Sequence, residues 1–158
     1  MKAITLTQPW ATLIIIGEKS VETRSWGCHY VDRPLAIHAS KGFPRWAKEL
    51  CSQEPFLSSL RKEYPGLSAS EIVRRLPTGK VLGTCRVVDK RPTNAIASAL
   101  EYGISDWYRA IFTEKELAFG DYSPDRWAWI IKYVEKFSEP VPAKGSLGLW
   151  EWDQGATK

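Results

Sequence analysis

The chain has 158 residues, 22 of them lysine or arginine against 18 acidic, for a formal charge of +4. That length suits one domain with a core large enough to need no disulfide staples, since a globule of this size removes roughly 70% of its unfolded surface from water. The modest positive charge is small for a long duplex-tracking groove and fits a pocket for one nucleotide or a few residues of single strand.

Cys28, Cys51 and Cys85 are odd in number and widely spaced, with no CxxC. They exclude a disulfide framework and a structural zinc site, and they point to a reducing compartment, with the cytoplasm as the default. The apolar run from Leu13 to Ile16 is far too short to span a bilayer, so no membrane partner is expected, and no targeting segment is visible.

In chain order, Ala3 to Leu6 reads as a short strand. A helix then starts at Thr7 or Gln8 with Pro9 in its first turn, where a missing backbone donor does no harm. Trp10, Leu13, Ile14 and Gly17 share its inward stripe, and Gly17 is its expected left-handed stop. Lys19 falls in the corner before a strand from Val21 to Ser25. Alternation there puts Glu22, Arg24 and Trp26 on one face and Val21, Thr23 and Ser25 on the other. Leu35 to Ser40 is the next strand. From Phe43 to Pro77 the pattern is helical, with Trp46, Leu50, Phe56, Leu60, Leu67, Ile72 and Leu76 as expected buried positions. Gly79 to Val88 returns to strand and ends by Pro92; Asn94 to Leu117 mixes helix and loop. Arg126 to Phe137 has two apolar faces, as a central strand covered on both sides would, and Leu147 to Asp153 gives a last strand.

Strands with intervening helices, no regular βαβ rhythm and no internal repeat predict an α+β fold, a small, mostly antiparallel β-barrel with peripheral helices. The segment QPWA followed by Gly17, Lys19, Glu22 and Arg24 as GxKxxExR resembles the opening signature of the ASCH domain, a relative of the PUA fold. LAIHASK (Leu35 to Lys41), GKVLGTCRVVD (Gly79 to Asp89), FGDYSPDRWAWII (Phe119 to Ile131) and PVPAKGSLGLWEWD (Pro140 to Asp153) resemble the later blocks of that family in order. The resemblance implies a PUA-like barrel, with residues 1–158 as a single domain carrying a helical insertion at about 43–77. It also implies recognition of nucleic acid, RNA foremost, or of a nucleotide or modified base.

The charged strand is the first candidate for that site. Isolated buried charges cost several kcal/mol unless paired or given to a ligand. Glu22 and Arg24 therefore read either as a structural ion pair or as base-recognition groups, the arginine donating to carbonyl or phosphate oxygens and the glutamate accepting from an exocyclic amine. Trp26 and Trp127 are candidate base-stacking walls, while Trp10, Trp46, Trp129 and Trp150 are assigned to the core. His38 shares a strand face with Ser40, and Lys41 and Lys144 can bring positive charge to a phosphate. Gln8, Trp10 and Tyr122 complete the candidate ligand-binding set with Lys19.

Some ASCH proteins are amidohydrolases that deacylate N4-acylated cytidine with a lysine, a threonine and a glutamate, and some relatives are ribonucleases. Lys19 matches the lysine, but the threonine position three residues on is Glu22. An enzymatic alternative would use Lys19 and Glu22 as catalytic groups without a metal. The pattern contains no metal-ligand cluster, Walker motif or GxGxxG, so no cofactor is expected. A third alternative, a protein-binding module, follows from similarity to the ASCH domain of a eukaryotic transcription coactivator.

Overall fold

The computed structural model describes residues 1–154. Six strands make one sheet: β1 (Lys2–Leu6), β2 (Val21–Arg24), β3 (Leu35–Ala39), β4 (Lys80–Pro92), β5 (Trp127–Pro142) and β6 (Leu149–Glu151). Their spatial order is β2-β5-β4-β3-β1-β6, with β1 and β3 parallel and the other neighbours antiparallel.

The expected barrel is corrected to an open mixed sheet with peripheral helices. Closure would require its two edge strands to pair, yet β2 and β6 are not hydrogen-bonded neighbours. The outer side of β2 is already held by the loop that follows it in space: Asp121 N donates to Thr23 Oγ1 and an Arg126 guanidinium nitrogen donates to Thr23 O. β6 is only three residues long and offers little backbone for another strand. Strand periodicity reports which residues alternate across a sheet and carries no information on whether its edges meet.

Apart from α1 (Trp10–Ile15), the described helices sit in two blocks, each inserted between antiparallel neighbours. α2 (Arg45–Leu50), α3 (Phe56–Leu60) and α4 (Ala69–Arg75) lie between β3 and β4. The chain leaves and returns at one point, since Ala39 pairs with Lys80 and Gly79 N donates to Ala39 O. α5 (Thr93–Tyr102), α6 (Asp106–Ile111) and α7 (Glu114–Phe119) do the same between β4 and β5, where Pro92 pairs with Trp127.

α1 (Trp10–Ile15) is wedged between sheet and helices, which is why nearly all of it is buried. Ala11, Ile14 and Ile15 join the sheet core with Ile4, Leu6, Ile37 and Trp129. Leu13 joins Phe56, Leu60, Ile72, Leu76 and Phe119 on the other side. Its start is tied by Gln8, whose amide oxygen accepts from Thr12 N and whose amide nitrogen donates to Thr12 Oγ1 and Pro77 O. Its end follows the sequence expectation: Gly17 has φ of +78°, with Gly17 N donating to Ile14 O and Glu18 N to Leu13 O. Those two bonds form a Schellman stop, whose left-handed residue is easiest for glycine.

Two packing expectations change. Trp46 is 58% exposed instead of buried, because six-residue α2 buries only Ala47 fully. β5 is covered on both faces only from Trp127 to Ile131; beyond Lys132 it extends past β2, and Tyr133 is 72% exposed.

Candidate functional site

Parallel β1 and β3 bring Thr5, Thr7, His38, Ser40 and Lys41 to one end of the sheet, and two adjoining clefts open there. The larger, about 1170 Å³, is bordered by these residues, Arg24, and the loop from Pro142 to Gly148 that leads into β6. Its exposed positive charges are Lys41 and Lys144, and Arg24 stands on its boundary. The smaller, about 520 Å³, has an aromatic side made by Trp10, Trp46 and Phe56 and a charged side made by Glu22, Arg24, Asp121 and Arg126. Thr5, Thr7 and Arg24 border both clefts and form the ridge between them.

Local structure explains the charged side. Glu22 and Arg24 are two apart on β2 and share a face, as alternation predicts, with Arg24 Nε 3.0 Å from Glu22 Oε1. One Arg24 terminal nitrogen donates to Thr5 O at 3.1 Å, which ties β2 to the end of β1. Arg24 Nε is buried and, although close to the carboxylate, has no hydrogen-bond partner in alignment. The ion pair thus holds the arginine in place and leaves a donor unused.

The aromatic side is held by Trp10 Nε1 donating to Phe119 O, and Trp46 leans on Trp10 with ring centres 5.7 Å apart. The face that Trp46 turns to solvent is apolar area with no partner among the described residues' ring contacts other than Trp10.

Lys19 lies elsewhere. Its side chain is 1% exposed, its ammonium donates to Val21 O, and it faces Glu116 Oε1 at 3.5 Å. Glu116 also accepts from Ser20 N, Ser20 Oγ and Val21 N, so α7 grips the start of β2 through one buried carboxylate. Lys19 borders neither cleft, and Gln8 is buried as the tie for α1. Tyr122 is partly buried near Glu116 and Glu22 with an unpartnered hydroxyl; burial first, then those two charges, push its phenol up.

Trp26 and Trp127 also stay outside the clefts. Trp26 packs edge-on against Trp129 at 4.6 Å and accepts the Trp129 indole hydrogen at its backbone oxygen. Trp127 lies beneath Lys90, whose ammonium is 5.7 Å from the ring centre. Of the sequence candidates, Trp10, Glu22, Arg24, His38, Ser40, Lys41 and Lys144 are brought together around the clefts. Thr5, Thr7 and Trp46 were not among them; their signals were the polar pair Thr5 and Thr7 two apart around the end of β1 and the basic neighbours Arg45 and Lys48 around Trp46.

Among the described residues no group of three or more histidine, cysteine, aspartate or glutamate side chains is arranged to hold a metal. None of their helices is long and apolar enough to cross a membrane.

An open sheet flanked by two helical blocks, with a polar and aromatic double cleft at one end, defines a small α/β ligand-recognition domain. The sequence matches the ASCH domain over residues 4–141, and the chain belongs to that family, a class of nucleic-acid or nucleotide recognition domains. Two solved structures share the fold. An ASCH protein from Zymomonas mobilis is 13% identical, with a TM-score of 0.51 over 97% of this chain and 87% of its own. A serine-to-alanine variant of the Zymomonas mobilis protein gives 13% identity and a TM-score of 0.50 over 97% and 88%. No curated protein matches the sequence. The amidohydrolase and ribonuclease alternatives gain no specific support from these relationships.

Proposed function

We propose that this domain binds single-stranded nucleic acid, holding one base in the smaller cleft and an adjacent phosphate in the larger one. The observation that carries the reading is the meeting of two clefts of different chemistry at Thr5, Thr7 and Arg24. A nucleotide has the same polarity, with a flat π-face at one end, an anion at the other and a sugar between. Trp46 offers an exposed indole face, and base stacking on such a ring is sequence-tolerant. Glu22 and the Arg24 guanidinium, both on the border of the smaller cleft, supply an acceptor and a donor for a base edge. Lys41 and Lys144 supply long, flexible cations for phosphate, and their small number agrees with the modest net charge.

A short strand or an unpaired loop suits these clefts better than a duplex, whose stacked bases cannot enter them. The domain acts in the cytoplasm, a setting in which the free thiols Cys28, Cys51 and Cys85 stay reduced. The test is a fluorescence titration with single-stranded oligonucleotides, using the wild type and Trp46→Ala. Saturable quenching that weakens in the variant supports the reading, and a wild type that binds no single strand sinks it.

A further inference from the structure

The two clefts meet over Thr5, and the bonding of its hydroxyl is fixed from behind. His38 is buried, with Nε2 3.1 Å from Ala143 O and Nδ1 3.1 Å from Thr5 Oγ1. A carbonyl oxygen only accepts, so Nε2 must carry a hydrogen. Burial lowers the imidazole pKa, with the Ala143 bond pulling the other way, and the ring is neutral near pH 7. Nδ1 is then an acceptor, and the assignment that satisfies the network has the Thr5 hydroxyl donating to it. Trp150 Nε1, which only donates, gives its hydrogen to the same Thr5 oxygen at 3.1 Å. The Thr5 proton and one lone pair are therefore in use, and what is left at the ridge is a single acceptor.

Gly145 allows the loop to close over this pair. A Cβ there would lie 2.5 Å from His38 Cε1 and 2.7 Å from Thr5 Oγ1, closer than real atoms come. Resting on the two-cleft reading, a nucleotide with its base in one cleft and its phosphate in the other must lay its sugar across Thr5. We infer that Thr5 is a specificity-determining residue that accepts a hydrogen bond from a ribose hydroxyl, with His38 and Trp150 as the residues that position it. A ribose 2′-hydroxyl both donates and accepts, so it can give its hydrogen to Thr5 while its own oxygen still accepts from water. Deoxyribose lacks that donor and leaves the Thr5 lone pair without it.

The experiment compares equilibrium binding of a uridine pentanucleotide and its 2′-deoxyuridine counterpart to the full chain, so that bases and phosphates are the same. The wild type is expected to prefer the ribo form by about five-fold, the ratio that one net hydrogen bond corresponds to. Thr5→Val is expected to bring the ratio of ribo to deoxy affinity to about one, whereas Thr5→Ser keeps it near the wild-type value. His38→Ala is expected to lower the ratio of ribo to deoxy affinity, a difference between two ligands that a purely structural role would not single out. If Thr5→Val does not fold, Thr5→Ala serves instead, since it removes the same oxygen without adding bulk and is expected to abolish the preference. Equal wild-type affinities, or a preference that survives in the folded variant, overturn this inference and leave the nucleic-acid reading standing. Binding of neither oligomer by a folded protein overturns both.

Discussion

Two ion pairs grow from one short motif, and they have opposite surroundings. Lys19 and Glu116 have side chains 1% and 5% exposed, and Glu116 satisfies three further donors around the turn into β2. Glu22 and Arg24 are 12% and 27% exposed, border a cleft and leave Arg24 Nε without an aligned partner. The first pair is closed on itself and acts as a clasp; the second is held in register but unfinished. Charge in a motif therefore says little about role until its partners are known, because a buried pair with all its bonds made has nothing to offer a ligand.

The sharpest way to break that contrast is Lys19→Met. It strands Glu116 as a buried charge without its cation, and stability is expected to fall by about 3–5 kcal/mol, read by denaturant unfolding. Adding Glu116→Gln to the same chain should recover part of that loss. Glu22→Gln, by contrast, is expected to destabilise far less, because its partner retains the bond to Thr5 O and can still reach water.

In the clefts the order of effects is reversed. Trp46→Ala is expected to weaken single-strand binding by about 1–3 kcal/mol, measured by titration, with little change in unfolding because the ring is mostly exposed. Lys144→Ala is expected to weaken binding uniformly across base sequences and to reduce the salt slope by about 0.7 for a single strand. A salt slope that does not move would separate Lys144 from any phosphate.

The smallest effect concerns pH. His38 has its folded pKa lowered from the ordinary 6.5, chiefly by burial, so between the two values the unfolded chain binds more protons than the folded one. The stability it contributes is fully present above about pH 6.5 and declines as pH falls below that value, levelling off once the folded-state pKa is passed. His38→Gln should flatten that part of a stability–pH curve, and an unchanged curve would show that other groups set it.

Local order was well written in the sequence. The Gly17 stop, the Val21 strand and the shared face of Glu22 and Arg24 follow from backbone chemistry and alternation, which act between near neighbours. Glu116 could not be read in the same way, since nothing local to α7 marks it as the partner of Lys19. Trp46 went to the core on helical periodicity, but α2 is too short for a periodic face to decide which side is covered. Thr5 carried only a weak local signal, because the two side chains that bond its hydroxyl, His38 on β3 and Trp150 on β6, come from strands far apart in the sequence. The barrel failed for a related reason: pairing preferences build each strand, while closure depends on what already occupies the edge of β2.

The central claim is that one single-stranded ligand lies across both clefts. Amide chemical-shift mapping of the folded domain, titrated with a short single-stranded oligonucleotide, tests it most directly. The account predicts perturbations at Thr5, Thr7, Arg24, Trp46 and the Lys144 to Gly148 loop, appearing together at one saturation point. Shifts confined to the opposite surface around Arg86 and Tyr133, or none at all at saturating ligand, would contradict it.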